Sequence, residues 1–347
     1  MANDTRSLSN PLQVGLALPV LALVGLLVGG WVVNEACNAE AGCIEGAREV
    51  WRGYLPEWTR KALRGIAGLF TNPWLWVLIV TVGIAERFRP ARDQQRMFSN
   101  GLLHDALAWV VLDKLAFGLL IGMVFSYSAG LALYREYLSF LTIDALVELP
   151  TLTKGIIAFV VADFLSWLHH WIRHKVPAFW IFHAVHHSQT EMNIFTDDRI
   201  HPFDRVIAMP ISMLPMLILQ LDVGVIPWIL IAQMLYTHAY HGNLRTDYGP
   251  LRWVFVTPQS HRVHHSMAPE DADVNFGVIF CLWDRLFGTH KDAFGAYPQT
   301  GVADPGFPME ERATVGGIVA AYTKQFLYPF VQIWRRLTTG RWELPAG

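Results

Sequence analysis

The sequence predicts an all-α, polytopic integral membrane protein: transmembrane helices topped, on one face, by a helical, histidine-rich region. Three observations predict it. Of 347 residues, 53% are hydrophobic and only 16% charged, where soluble domains carry roughly 25% charged residues. Four charge-free runs reach the twenty or so residues that a bilayer-spanning helix needs. Ten of the 14 histidines fall into four short clusters. The same arithmetic, with a mean hydropathy of +0.30, excludes disorder and a disulfide framework. A net charge of −2, from 27 basic and 29 acidic residues, leaves no basic footprint for nucleic acid.

Residues 1–150 read as N-terminal transmembrane helices. The first run, Pro11–Val33, has too long an apolar core and too poor a basic flank (Arg6 alone) for a cleaved signal peptide. It reads as a signal anchor or first span. Cys37 and Cys43 flank the short polar loop that follows. A disulfide there requires an oxidising compartment, which puts 35–64 outside and the arginine-rich 86–104 (Arg87, Arg89, Arg92, Arg96) in the cytoplasm. Two unpaired thiols remain the alternative, and the positive-inside rule does not decide, because 35–64 is basic too. Gly65–Ala85 and Leu115–Tyr134 are the next two runs.

Residues 151–295 form the histidine-bearing region. A helix over about Leu152–His174 starts apolar and ends in Asp163 and histidines. Val206–Leu221 and the fourth run, Val223–Leu244, are separated only by Asp222 and predict a helical hairpin, 206–244. Its first arm, at 1.5 Å per residue, covers roughly 24 Å of a ~30 Å core. Met209, Met213 and Met216 on that arm either line a groove or pack. Cys281, among apolar residues, reads as a packed thiol. The tail, 296–347, carries a mildly apolar stretch, Ala313–Trp334, followed by Arg335 and Arg336, which suits a helix lying at the membrane interface.

The clusters are His170 and His174; His183, His186 and His187; His238 and His241; His261, His264 and His265. A helix presents i, i+3 and i+4 side chains on one side, so H-x-x-H-H aims several imidazoles at one place. Imidazole suits iron, zinc, copper and nickel, and no cysteine falls in these clusters. Ten histidines exceed one ion's coordination shell, which implies two metal ions. The hairpin returns the chain to its starting side, so all four clusters share one membrane face, the cytoplasmic one under the orientation above. His104 and His290 stand outside the pattern and read as structural.

These motifs resemble the fatty acid hydroxylase/sterol desaturase superfamily, histidine-box integral-membrane di-iron oxygenases. The resemblance covers about 160–290. DFLSWLHHWIRH (163–174) is similar to the family's D-F-x-x-Y-W-x-H-R-x-x-H, selecting His170 and His174 and leaving His169 as an extra. FHAVHHS (182–188), RIHP (199–202), HGN (241–243), TPQSHRVHHS (257–266), VNFG (274–277) and WDRLFGT (283–289) resemble the remaining boxes and closing signature. Trp167 stands for the usual tyrosine and Trp171 for the arginine, and His238 has no clear counterpart. There is no H-P-G-G haem motif in the sequence.

The resemblance implies O₂-dependent attack on an unactivated C–H bond of a membrane lipid or lipid-like substrate. Hydroxylation is the primary expectation. Desaturation of a sterol or acyl chain and ether-lipid monooxygenation share the same motifs. It implies two iron ions, zinc having no redox chemistry although it can occupy the site in isolated protein. It also implies a separate electron donor (cytochrome b5-like, a ferredoxin or a reductase). Asp163, Asn243, Asp197 and Asp198 are candidates to fix ligand tautomers, and Arg199 and His201 to support or close the site. A non-enzymatic histidine-lined metal-binding or transport protein would spread ionisable residues through its spans. A zinc protease would need H-E-x-x-H, which is absent.

Overall fold

The computed structural model describes residues 73–96, 98–109, 133–221, 226–304, 306–309 and 314–342. The run Pro11–Val33, the Cys37–Cys43 loop, the first part of Gly65–Ala85, nearly all of Leu115–Tyr134 and the side chain of Met209 lie outside the described residues. The described chain is all helical. It contains no strand, only isolated bridges at Pro90–Leu244, Phe255–Phe280 and Ser266–Thr300.

Helix α1 (Pro73–Phe88) leads through an arginine-rich turn to α2 (Asn100–Ala108), capped by the Ser99 hydroxyl. The longest helices are α3 (Thr151–Lys175) and α9 (Val315–Thr339). Between them run α4 (Pro177–His187), α5 (Pro202–Ile218), α6 (Ile226–His241), α7 (Pro258–His264) and α8 (Leu282–Phe287).

Local chemistry sets the ends of these helices. Val176 precedes Pro177 and is extended (φ −105°, ψ 112°), as the proline ring demands of its predecessor. That stops α3 and lets Pro177 open α4 at the position where a missing N–H costs nothing. Arg173, His174 and Lys175 occupy the last turn of α3, where cations meet the negative end of the helix dipole. Helix α5 begins four residues earlier than the expected 206, because the sequence His-Pro is itself a start signal: His201 caps it and Pro202 follows. In α7, Thr257 and Ser260 form a reciprocal capping box around Pro258. The tail helix continues past the expected Trp334 until Gly340, at φ +73°, closes it.

Only α3 is long and apolar enough to cross a membrane among the described residues. The two arms of the expected hairpin are helical but short, and α5 carries Pro210 and Pro215 inside it. Met216 packs with Leu219 and Leu221 against Ala158 of α3, so that methionine belongs to the core. Trp180, Ile181, Ala184 and Val185 of α4 pack on Tyr328 of α9. Cys281 is buried beside Tyr240 and Val256. Large apolar side chains stay exposed on α1 (Trp74, Val77, Val80, Ile84), on α3 (Leu152, Ile156) and along α9 (Val319, Leu327, Trp334, Leu337).

Candidate metal centre

Helix α3 supplies His170 and His174, α4 supplies His183, His186 and His187, α6 ends on His241, and α7 supplies His261 and His264 with His265 at its cap. They form two groups. The first is His170, His174, His183, His187 and His264; the second is His186, His241, His261 and His265. Within each, the coordinating nitrogens all lie within 4.8 Å of one another. Each H-x-x-H-H motif is divided between the groups. Its i, i+4 pair (His183/His187, then His261/His265) goes to one group and the remaining histidine (His186, then His264) to the other. Adjacent helical residues point ~100° apart, so one short helix serves two neighbouring sites. The rings of His187 and His265 stack at 4.3 Å, placing the groups side by side.

Tautomers test whether a cation fits. His170 Nδ1 lies 2.9 Å from Phe276 O and His264 Nδ1 2.8 Å from Val274 O. A carbonyl only accepts, so both rings carry their proton on Nδ1 and present a bare lone pair at Nε2. Those two Nε2 atoms are 3.0 Å apart, where neutral rings can make no hydrogen bond. In the second group, His241 donates Nδ1–H to Thr237 O (2.7 Å). Its lone pair faces His261 Nε2 at 2.8 Å, which also lies 3.1 Å from His265 Nε2. One proton at most serves those three nitrogens. A metal-free histidine core leaves such atoms unpaired at about 1–3 kcal/mol each, whereas metal binding at structural zinc sites yields roughly 10–16 kcal/mol. The residues fit a metal.

Burial keeps these rings in the ligand form. It pushes His183, His187, His261, His264 and His265 well below the ordinary histidine pKa, and His186 down to about 3. Arg173 adds to the effect at His183, and neighbouring imidazoles add to it at the others.

A second layer orients the first. Asp204, in the first turn of α5, accepts from His183 Nδ1 (3.0 Å) and from Arg173 (2.9 Å). Asp273 lies 3.7 Å from His174 Nδ1 and pairs with Lys175. Replacing Asp204 with asparagine is expected to weaken metal retention by about 10–100-fold, read by chelator competition. Unchanged retention would show that Asp204 has no hold on His183.

The expected ligand His238 stands apart from both groups. Its Nδ1 faces Met234 O (2.8 Å) and Asp197 (3.0 Å), and its Nε2 faces Asp198 (2.7 Å). Both nitrogens face oxygen, and neither histidine group includes this ring. Asp197 also reaches His241 Nδ1 at 3.5 Å, so this carboxylate does stand behind one grouped histidine.

The other sequence candidates hold the frame and touch no grouped imidazole. Asp163 accepts from Ile279 N, Phe280 N and Trp283 Nε1. With Asp284, which accepts from Phe276 N, Gly277 N and Trp167 Nε1, it fixes the segment that offers Phe276 O to His170. Trp167, the departure from the family's tyrosine, therefore has a defined partner. A side chain at Gly277 would sit 2.8 Å from Phe280 O, so only glycine fits. Asn243 accepts from Arg92 N and Arg262 Nη2 and donates to Glu86 through its own N–H. Arg199 bonds Val185 O, Ser188, Asp105, His104 and Gln325. His201 accepts from Phe203 N and donates to Phe326 O. His290 pairs with Arg285 and Asp292.

Sequence reasoning missed Asp204, Asp273, Asp105 and the carbonyls of Thr237, Val274 and Phe276. Asp204 had a signal, an acid in the first turn after His-Pro. The carbonyls had none, since any residue carries one.

Residues 155–289 match the family model described as fatty acid hydroxylase. The chain is 27% identical over 192 residues to the ornithine lipid hydroxylase OlsE of Rhizobium tropici, covering 55% of each. It is 31% identical over 151 residues to an alkylglycerol monooxygenase of Xenopus tropicalis (42% of this chain, 32% of that one). To the fatty acid hydroxylase vlmA of Lecanicillium it is 28% identical over 154 residues (40% and 42%). The chain thus spans about half the length of these relatives or less. No solved structure matches at a significant level. The stretch that matches the fatty acid hydroxylase family model, residues 155–289, contains every histidine of both groups.

Proposed function

We propose that the chain is a membrane-bound, O₂-dependent oxygenase that hydroxylates an unactivated C–H bond of a lipid at a pair of iron ions. The observation that carries this reading is the division of nine buried imidazoles into two adjoining groups whose Nε2 lone pairs face one another. One ion would take His170, His174, His183, His187 and His264; the other His186, His241, His261 and His265. Bound there, iron supplies what no side chain can: redox activation of O₂. The chain's part is to hold the ligand protons away from the metals, on the Nδ1 atoms bonded to Phe276 O, Val274 O, Thr237 O and Asp204. It also keeps the site free of sulfur ligands and bulk water.

Hydroxylation consumes O₂, two electrons and two protons and yields the alcohol and one water. The chain therefore needs a separate reductant, a cytochrome b5-like protein, a ferredoxin or a reductase. A second reading, attack on the carbon beside an ether oxygen, draws support from the similarity to alkylglycerol monooxygenase. Desaturation would use the same centre. In this reading the chain crosses the membrane several times, with α3 as one span. The histidine groups lie on the cytoplasmic face, and the apolar stripe of α9 rests at the interface.

The test pairs metal analysis of gently purified protein with lipidomics of cells containing or lacking it. The expected result is about two metal ions per chain and a lipid class heavier by one oxygen. Sub-stoichiometric metal, or identical lipid profiles, would remove this function.

A further inference from the structure

A polar cavity is lined in part by Asn243, two residues beyond His241 of the second histidine group. It has a volume of about 150 Å³ and is lined by Glu86, Arg87, Pro90, Asp93, Gln95, Arg96 and Asn243. It sits where two of the charge-free runs end, 65–85 and 223–244. Main-chain bonds join the two exits there: Ala91 N to Asn243 O (2.9 Å) and Arg245 N to Arg89 O (2.8 Å). In a membrane-spanning chain, that level is the lipid headgroup layer.

Its lining carries both signs of charge. Arg87 and Arg96 both line the cavity and make no hydrogen bond or ion pair with any described residue. Glu86 commits one oxygen to Asn243 N (2.7 Å), and Asp93 only approaches Arg245, at 3.7 Å. A plain anion would gain from the arginines and be opposed by the two carboxylates. A plain cation would meet the reverse. A ligand with an anionic group and an ammonium group satisfies both, because guanidinium binds phosphate or carboxylate in a fixed fork.

One lining residue is hydrogen-bonded to the helix that carries His261 and His264. Asn243 follows His241 by two residues, and its Oδ1 accepts from Arg262, which lies between His261 and His264. From this arrangement we infer that the cavity binds the headgroup of a zwitterionic lipid and thereby presents a headgroup-proximal carbon to the metals. This rests on the lipid-oxygenase reading above and adds the substrate's headgroup class and the region of the lipid that is oxidised.

The test uses the full chain, delipidated and offered phosphatidylethanolamine, phosphatidylglycerol and diacylglycerol in equal amounts. Retained lipid is read by native mass spectrometry and metal content is measured on the same samples. Phosphatidylethanolamine is expected to be retained about tenfold over the other two, a difference near 1.4 kcal/mol. The double variant Arg87→Gln/Arg96→Gln removes no bond to a described residue, and it is expected to lose that preference while keeping its metal. Asp93→Asn is expected to shift retention toward phosphatidylglycerol. Equal retention of all three lipids by the wild type, or an unchanged preference in the double variant, overturns the headgroup site even where metal content is full. A metal-free wild type that still selects phosphatidylethanolamine would support the cavity and remove the oxygenase reading.

Discussion

Replacing His264 with alanine is expected to abolish lipid oxidation, to below about one per cent of wild type, and to cut bound metal to about half. The reasoning starts from the first histidine group. His264 Nε2 lies 3.0 Å from His170 Nε2, and its ring is fixed by the Nδ1 bond to Val274 O. Partners one layer out from a metal already cost 10–100-fold when removed, so loss of a ligand costs more. The second group contains none of the first group's residues, which is why one ion is expected to stay. His187→Ala is expected to behave the same way, and His261→Ala to lose the other ion. His238→Gln separates ligation from stability. Its ring is bound by Asp197 and Asp198 and lies outside both groups. That variant is expected to keep both metals while unfolding at a lower temperature. Metal analysis and a thermal melt check all four variants. Full activity in both His264→Ala and His187→Ala would remove the metal-centred mechanism, and loss of metal in His238→Gln would restore His238 to the ligand set.

The contrast between His264 and His238 shows what is legible in this sequence. H-x-x-H-H on a helix fixes the relative direction of three side chains, so convergence can be read from spacing alone. His238 and His241 have equally regular spacing, but what decides between them arrives from 40 residues away. Asp197 and Asp198 lie on a single 3₁₀ turn and take both nitrogens of His238. No local pattern announces that meeting. The same holds for Asp163, whose place seven residues before His170 on the same face of α3 suggests a direct partner. Its carboxylate instead gathers Ile279 N, Phe280 N and Trp283, acting on His170 only through the segment that carries Phe276 O. Helix ends do carry local signals, since His-Pro, Thr-Pro and Gly340 act within a few residues, but hydropathy alone overlooks them and sets the start of α5 and the end of α9 several residues off. The spans expected at Pro11–Val33, Gly65–Ala85 and Leu115–Tyr134 rest on composition alone, and among the described residues α3 alone has the length and hydropathy to cross.

Replacing Arg199 with alanine is expected to destabilise the fold by about 3–5 kcal/mol, the usual cost of leaving one member of a buried ion pair alone. Arg199 is 1% exposed and Asp105 0%, and they meet at 2.8 Å. The guanidinium also bonds Val185 O and Ser188 at the end of α4, where His186 and His187 sit, and Gln325 of α9. Asp105 binds Gln189, Asn193 and Thr196 as well, so the pair fastens α2, α4, the following loop and α9 around the metal groups. Burial works against the Asp105 carboxylate, yet Arg199 and His104 hold it down at about 2. In the wild type its contribution is complete above pH ~4 and is lost as the pH falls through about 2. Without Arg199 the largest lowering influence is gone, so burial, the largest effect on this carboxyl, is expected to raise its pKa above the ordinary value and make the variant bind the proton more readily than the unfolded chain does. Its deficit against wild type should therefore shrink on acidification from pH 7 toward 5. Melting temperatures of the two proteins across that range check the sign. A deficit that grows as the pH falls would show that Asp105 is not the charge left stranded.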